Sequence, residues 1–267
     1  VEFAGTLAIR VGEEGRGIRE ILSHAHLTRL DFAVGSAGLM RHMLTLALQH
    51  TTTRDAFGSS IADRPMMTNV LADMAVEVEA ATLMALRVAR ATDQIQTSEH
   101  ERLLARVATP AAKYFNCSRV ASIANEALQC HGGNGFIEEH PMARLYREAP
   151  LNSVWEGTAN MMCMDVRRAM QREPETIDAL FAELKPLAGQ DARFDGLVAH
   201  TQQLVRAAAS DEYFARPMAE SMARALQAAE LMRYSTTEVA DMFLSTRAPG
   251  SAGAWASHYG TLAMPDS

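Results

Sequence analysis

Glu156 is the residue whose setting in this sequence is best suited to proton transfer. It lies between Trp155 and Gly157, and no lysine or arginine lies within several positions of it along the chain. An apolar setting disfavours the charged carboxylate and makes the group a stronger base, so these neighbours predict a general base. The alternative is a glutamate at a helix start, where it satisfies backbone N–H groups and the helix dipole favours its charge.

A glycine-rich turn, Gly132–Gly135, precedes Glu156 in the same stretch of sequence. Glycine adopts positive φ angles and lets a ligand approach the backbone N–H groups closely, which suits a phosphate at a helix boundary. The spacing is not GxGxxG and no strand precedes it, so a dinucleotide-binding βαβ unit is not indicated. A plain helix C-cap explains the same residues equally well. His131, beside the turn, is either a second base or a structural histidine.

Two arginines are further candidates for ligand binding. Arg54 and Phe57 lie in a polar loop and offer a cation and an aromatic face, a pair suited to a nucleotide diphosphate. Arg29 lies within a helical pattern. It is either a salt-bridge partner of Asp31 or Glu20, or a ligand contact.

The composition restricts the class of protein. With 48% hydrophobic and 21% charged residues, the 267-residue chain is globular rather than disordered. The net charge of −7 disfavours nucleic acid as a default partner. Three separated cysteines, Cys117, Cys130 and Cys163, indicate buried thiols in a reducing, cytoplasmic setting and no metal site. No apolar run is long enough for a membrane span. The missing initiator methionine leads us to expect a fragment of a longer protein.

Apolar residues recur at helical spacing along most of the chain. The pattern predicts one or two helices over 18–50, helices over 65–91 and 98–131, one from near Ser153 or Thr158 to 171, and shorter ones over 175–187, 194–209, 213–233 and 236–246. Long helices joined by short loops pack antiparallel. We therefore expect an all-α, up-and-down helical bundle.

Local signals refine these boundaries. Pro65 suits a first helical turn, and Ser98 with Glu101 forms a capping box. Pro110 predicts either a kinked helix or two helices. Residues 51–60 are expected to form a loop.

The two ends of the chain are predicted to differ from the helical part. Alternating residues in 1–14 suggest a single strand, which we interpret as the remnant of a preceding β domain. Residues 248–267 are rich in glycine, serine and proline and are expected to be irregular.

Several motifs in order give the chain a specific resemblance. They are Gly-Glu-Glu-Gly-Arg-Gly at 12–17, Thr28-Arg29, Val-Gly-Ser-Ala-Gly-Leu at 34–39, Arg-Asp-Ala-Phe-Gly at 54–58, Leu-Ala-Asp-Met-Ala at 71–75, Gln-Cys-His-Gly-Gly-Asn-Gly-Phe at 129–136, Leu-Tyr-Arg-Glu at 145–148 and Trp-Glu-Gly-Thr at 155–158. Together they resemble the C-terminal helical domain of the acyl-CoA dehydrogenases. The residues at 144–157 and 162–166, with the helical extension after 174, are most similar to the adaptive-response branch of that family. The resemblance implies domains at 1–14, 15–172 and 173–267.

The resemblance also implies a chemistry and a set of site residues. Glu156 would remove the α-proton of an acyl-CoA thioester while the β-hydride passes to N5 of FAD. The implied substrate contacts are Arg29 and Gly157. The implied contacts with the subunit's own FAD are Trp155, Thr158 and Asn160, and those with the FAD of a neighbouring subunit are Arg54, Phe57, Gln129, Gly132 and Gly133. A homotetramer built as a dimer of dimers follows, with an electron-transfer flavoprotein as a candidate electron acceptor.

Three residues depart from the family pattern. Pro65 and Asn160 stand where many members have glutamine, and Trp155 replaces a common tyrosine. The larger indole is expected to narrow the acyl pocket. The N-terminal helical domain and most of the β domain, which cover the flavin in the family, are not in this sequence.

The adaptive-response branch also suggests a second hypothesis, a DNA-binding protein of the alkylation response. There the C-terminal extension is the implicated surface. Residues 174–267 hold seven basic and twelve acidic residues, a net charge of −5. Because DNA binding draws on clustered lysine and arginine, this balance disfavours the hypothesis.

Overall fold

The computed structural model describes residues 1–249, so most of the predicted irregular segment 248–267 lies outside the described residues. Residues 1–16 form turns and irregular backbone and are exposed, and they include no strand. The prediction of a strand over 1–14 is therefore wrong for this structure. The physical reason is the lack of a partner, since the two strands described between residues 1 and 249 pair only with each other.

The first helix, α1, spans Gly17–Thr53 without interruption. It includes residues 51–53, which the sequence assigned to a loop. Thr51, Thr52 and Thr53 each donate a side-chain hydrogen bond to the carbonyl four residues earlier, at 2.8, 2.7 and 2.8 Å. These bonds satisfy the hydroxyl groups within the helix, so the β-branched run extends α1 by one turn instead of ending it.

A two-residue hairpin follows α1. Strands β1 (Asp55–Ala56) and β2 (Ser59–Ser60) pair antiparallel around Phe57 and Gly58. Both turn residues have positive φ, 56° and 87°, as a tight hairpin turn requires. Arg64 donates to the carbonyl oxygens of Ala56 and Phe57 and so ties the hairpin to the start of the next helix.

The next two helices confirm the capping signals. Helix α2 spans Pro65–Asp93 with the proline in its first turn. Helix α3 spans Glu99–His131, and the Glu101 N–H donates to Ser98 Oγ at 3.3 Å. Pro110 lies inside α3 without dividing it, so of the two alternatives the single helix is correct.

Five 3₁₀ turns and six more helices complete the described chain. The helices are α4 (Pro141–Glu148), α5 (Ala159–Arg172), α6 (Glu175–Leu184), α7 (Ala192–Ser210), α8 (Ala215–Tyr234) and α9 (Thr237–Arg247). Helix α5 begins directly after Thr158, the later of the two predicted starts. Helix α4 was not predicted, although buried Met142, Ala143 and Leu145 give it an apolar face. The predicted all-α bundle is confirmed.

Helix α3 is the centre of the bundle and contacts α1, α2, α5, α6 and α8. Asn116, fully buried on α3, shows how closely the three long helices pack. Its Nδ2 donates to the carbonyl oxygens of Ala33 on α1 and Ala81 on α2, both at 3.1 Å. One apolar core runs from α1–α3 into α5–α9, and a second lies between α1–α4. None of the helices described in residues 1–249 has the length and apolarity needed to cross a membrane.

An ion-pair network ties the extension to the bundle. Arg87 on α2 bonds Glu101 on α3 at 2.8 Å and Glu183 on α6 at 2.9 Å. Glu183 also receives a bond from Arg233 on α8 at 2.7 Å. Burial raises the pKa of Glu183, but its bonds to Arg87 and the charge of Arg233 outweigh burial and lower it to about 2.

We predict that Arg87→Leu destabilises the fold by about 3 kcal/mol, because removing one member leaves two buried carboxylates short of a partner. Urea unfolding of the purified protein measures the change. Arg90→Leu is the matched control, since Arg90 is exposed on the same helix, and it should change stability by less than about 0.5 kcal/mol. Equal stability of the two variants would contradict the role of the network.

Candidate active site

Glu156 and Gly157 form a turn with two consecutive positive φ angles, 56° and 107°. A non-glycine residue in this region is strained, and such strain persists only where surrounding contacts hold it. Glycine is favoured at position 157 because its φ of 107° would strain any residue with a Cβ. We call these two residues the base turn.

Arg29 of α1 holds one side of the base turn. Its Nε donates to the carbonyl oxygen of Glu156 at 3.1 Å, and its Nη1 bonds Asp165 of α5 at 2.9 Å. Arg106 of α3 bonds the same aspartate at 2.9 Å. The predicted partners Asp31 and Glu20 are therefore not the ones used. Asp165 lies far along the sequence, so only the packing of α5 against the bundle brings it to Arg29.

Lys113 of α3 holds the other side of the base turn. Its Nζ donates to the carbonyl oxygen of Gly157 at 2.7 Å. Lys113 is 1% exposed and has one of the largest fully buried side chains in the described part of the chain. Lys113 was not predicted as a site residue from the sequence. The available signal was a lysine in an otherwise apolar helical pattern, between Ala112 and Phe115.

In the described part of the chain, residues 1–249, the Glu156 side chain is exposed. The predicted burial of its carboxyl group among apolar neighbours is therefore not found. Trp155 instead stacks on Phe32 of α1, with ring centroids 4.7 Å apart, and keeps 42% of its surface exposed. The apolar neighbours thus pack onto the bundle and leave the carboxylate accessible. It forms no salt bridge with any described residue, which keeps it available to accept a proton.

The two other predicted contacts on this side lie at the start of α5. Thr158 occupies the N-cap position without capping through its side chain and is exposed. Asn160 accepts a hydrogen bond at 2.7 Å from Nε of Arg216 on α8. The amide of Asn160 is thereby tied to the C-terminal extension.

The remaining predicted residues lie together at another end of the bundle. Arg54 directly follows α1. Gln129 lies in the last turn of α3, and Gly132 and Gly133 are the next residues after that helix. Phe57, at the hairpin turn, is 96% exposed. Gly132 has φ 60°, and a Cβ on Gly132 or Gly133 would meet no atom within 4 Å, so this surface is open. We call this group the glycine-turn surface.

Three histidines join the helix ends beneath this surface. The His131 ring lies between those of His50 and His140, with centroids 4.8 and 4.7 Å away. His131 Nδ1 lies 2.7 Å from the carbonyl oxygen of Ala127 and donates to it. Of the two interpretations of His131, the structural one fits, because its residue is buried. No cluster suited to a metal ion occurs within residues 1–249.

The base turn and the glycine-turn surface are well separated. Arg29 touches the base turn and His50 lies beneath the glycine-turn surface, both on α1. At 1.5 Å per helical residue, the 21-residue interval between them corresponds to about 32 Å. One flavin ring therefore cannot contact both groups at once.

A cavity of about 450 Å³ lies beside Arg29, and neither residue of the base turn lines it. It is lined by Arg29, Arg106 and Asp165 and by His26 of α1. Burial, with the nearby charge of Arg106 and a smaller effect of Arg29, lowers the pKa of His26 to about 4, while Asp165 and the backbone of Ala105 oppose the shift. His26 is therefore neutral in the folded protein at pH 7.

His26 makes the stability depend on pH. Its folded pKa of about 4 lies below the unfolded value of about 6.5. The unfolded state thus binds the proton first, and stability is fully present above pH 6.5 and decreases as the pH falls toward 4. We predict that His26→Gln weakens this decrease in urea unfolding at pH 7, 5.5 and 4.5. His50 and His140 remain in both proteins, so identical pH slopes would contradict the prediction.

The comparisons with known proteins define the class. Residues 15–171 match the family model described as acyl-CoA dehydrogenase, C-terminal domain. The chain belongs to the acyl-CoA dehydrogenase family. It is similar to the putative acyl-CoA dehydrogenase AidB of Escherichia coli K12, with 40% identity over 211 residues, which cover 79% of this chain and 39% of that protein.

Two solved structures share the fold. Caenorhabditis elegans ACDH-11, in complex with C11-CoA, matches with a TM-score of 0.76 and 26% identity, covering 88% of this chain and 44% of that one. A Bacillus anthracis acyl-CoA dehydrogenase complexed with FAD matches in fold with a TM-score of 0.70 and 21% identity, covering 87% and 47%. The chain thus spans less than half the length of these relatives.

Proposed function

We propose that this chain is the C-terminal domain of an FAD-dependent acyl-CoA dehydrogenase in which Glu156 is the catalytic base. The observation that carries the proposal is the strained base turn, held by Arg29 and Lys113 while the Glu156 carboxylate stays exposed and unpaired. A strained turn that presents an accessible carboxylate is typical of catalytic sites. The C11-CoA complex of the similar protein ACDH-11 supports an acyl-CoA as the substrate class.

The backbone of the base turn supplies a second element of the proposed mechanism. The Glu156 N–H donates to no backbone carbonyl among the described residues. It is therefore free to bind the thioester carbonyl oxygen, on which negative charge develops as the α-proton leaves. Glu156 takes that proton, and Arg29 and Lys113 keep the carbonyl oxygens of the turn directed away from the substrate.

FAD would supply the hydride acceptor of the reaction. The residues proposed to hold it on this side are Trp155, Thr158 and Asn160. The exposed Thr158 at the start of α5 fits this role, since the N–H groups of a first helical turn are free to bind a ligand. The side-chain oxygen of Asn160 accepts the hydrogen bond from Arg216, and its NH2 group remains available to bind FAD.

Glu156→Gln is the test of the base. In the full-length gene product loaded with FAD, mixing with acyl-CoAs under anaerobic conditions should bleach the flavin absorbance. Because glutamine cannot accept the proton, we expect the variant to reduce the flavin about 10²–10⁴-fold more slowly. Glu139→Gln, an exposed glutamate before α4, is the control and should behave as wild type. Bleaching at the wild-type rate in Glu156→Gln would refute the proposed role.

The glycine-turn surface is proposed to hold the FAD of a neighbouring subunit in a homotetramer. Its distance from the base turn supports two separate flavin sites for each pair of subunits. The unobstructed Gly132 and Gly133 and the exposed Arg54 and Phe57 fit a diphosphate and an aromatic ring system. A surface completed by a second subunit would also explain why Phe57 is almost fully exposed in the single chain.

Arg54→Met is the test of this surface. We expect it to lower the FAD content of the purified full-length protein at least about tenfold, because a charge-assisted contact with the diphosphate is lost. The folded chain should be unaffected, since Arg54 is exposed. Arg41→Met, on the exposed face of α1, is the control. Full FAD content in Arg54→Met would remove Arg54 from the proposed site.

DNA binding is not proposed. Most basic residues of the extension are already engaged: Arg193 with Asp191 and Asp241, Arg224 with Glu220, Arg233 with Glu183 and Glu230, and Arg247 with Asp73 and Glu77. Paired arginines offer little charge to phosphates. The charges of the extension therefore do not support a DNA-binding surface on this chain.

A further inference from the structure

Lys113 is buried at the centre of the bundle and bonds the backbone of the base turn. We propose that Lys113 is a positioning residue for the reaction, which fixes the conformation in which Glu156 accepts the proton. The inference rests on the proposed function of Glu156. It concerns a side chain that touches neither substrate nor cofactor and acts through the Gly157 carbonyl.

The residue type at this position is unusual for the chain. Of its 25 basic residues other than histidine, only Lys113 and Lys185 are lysines. The neighbouring basic positions on α3, Arg102, Arg106 and Arg119, are arginines paired with carboxylates. An arginine presents a broad planar fork, whereas a lysine places a compact charge on one acceptor. The compact ammonium group of Lys113 thus suits a hydrogen bond to a single carbonyl oxygen.

Burying this cation carries a free-energy cost that the fold does not offset with an ion pair. Lys113 forms no salt bridge with any residue in the described part of the chain. A buried charge is normally paired, because its desolvation is unfavourable. Among residues 1–249, its one hydrogen bond goes to the Gly157 carbonyl oxygen, at 2.7 Å. A core lysine held for stability alone would be replaceable by an apolar side chain, so the bond to the base turn is the feature that explains it.

The geometry shows what the bond controls. The carbonyls of Glu156 and Gly157 belong to the two peptide planes that follow the Glu156 Cα. Arg29 of α1 fixes the first plane and Lys113 of α3 fixes the second. Glu156 has a positive φ, which is uncommon for a non-glycine residue, so the unclamped turn would relax at Glu156 toward commoner backbone angles. With both planes held, the Glu156 side chain leaves the backbone in one direction.

Lys113 also lies within electrostatic reach of the base. Burial lowers the pKa of Lys113, while Cys117 and Glu156 oppose this shift and Arg29 adds to it. The interaction with Glu156 shows that the Lys113 ammonium group lies near the Glu156 side chain as well as beside the backbone of the base turn.

The experiment compares Lys113→Met, Lys113→Gln and Lys113→Arg with the control Lys185→Met, which removes the other, exposed lysine. Each is made in the full-length gene product loaded with FAD. We expect Lys113→Met to slow flavin reduction at saturating acyl-CoA about 10–100-fold, since a misplaced base loses rate steeply. Its acyl-CoA dissociation constant should change less than about twofold, and Lys113→Arg, which keeps the charge, should recover part of the rate.

Hydrogen–deuterium exchange supplies a readout that does not depend on activity. Peptides covering residues 153–160 should exchange faster in Lys113→Met than in wild type or Lys185→Met. If Lys113→Met does not fold, the same rate and exchange measurements on Lys113→Gln, which keeps an uncharged donor, decide the question.

The outcomes separate the two proposals. A wild-type rate and wild-type exchange in folded Lys113→Met, together with an inactive Glu156→Gln, would overturn the positioning role and leave the proposed function standing. A wild-type rate in Glu156→Gln would overturn the proposed function and with it the catalytic consequence of Lys113. Faster exchange in that case would show only that Lys113 holds the turn.

Discussion

The conformation of the whole site depends on two hydrogen bonds from cations to carbonyl oxygens. Glu156 has a positive φ that a non-glycine residue rarely adopts, and the carbonyl oxygens of Glu156 and Gly157 are held from two different helices. Arg29 and Lys113 can do this only if α1 and α3 stay at a fixed separation. Asn116 maintains that separation, because its one amide group bonds the backbones of both α1 and α2. The packing of the long helices thus directly determines the conformation of the base turn.

Asp165 adds a third helix to this arrangement. It pairs with Arg29 and Arg106 and therefore joins α5 to α1 and α3 at the level of the turn. Helix α5 begins only two residues after Gly157, so its N-terminus and the turn move as one unit. The extension contributes through Arg216, which bonds Asn160 in the first turn of the same helix. Helices far apart in sequence consequently act together on one short segment.

The sequence predicted the helices well because their signals are local. Pro65 and the Ser98–Glu101 box mark helix starts with interactions that span at most one turn. The errors came from features that need a partner. A strand over residues 1–14 lacks a neighbouring strand, and Thr51–Thr53 look like a loop until their hydroxyl bonds to α1 are known.

The site residues could be predicted where the family resemblance supplied their positions. They could not be predicted where a residue's role depends on contacts with residues distant in sequence. Asp31 and Glu20 were reasonable partners for Arg29 by spacing, yet the aspartate on α5 is used. Lys113 looked like one charge in a helix, and only its burial and its bond to Gly157 reveal its role. The exposure of Glu156 was likewise hidden, because Trp155 turns away to stack on Phe32.

The strong preference for arginine has a practical consequence for handling this protein. With Lys113 enclosed in the bundle, Lys185 is the one side-chain amine at the surface of the chain. Within this chain, an amine-reactive dye at mildly alkaline pH would therefore attach to the side chain of Lys185, directly after α6. A fluorophore there would report on the extension without disturbing the base turn, and a surface-coupled sample would present the bundle in one main orientation.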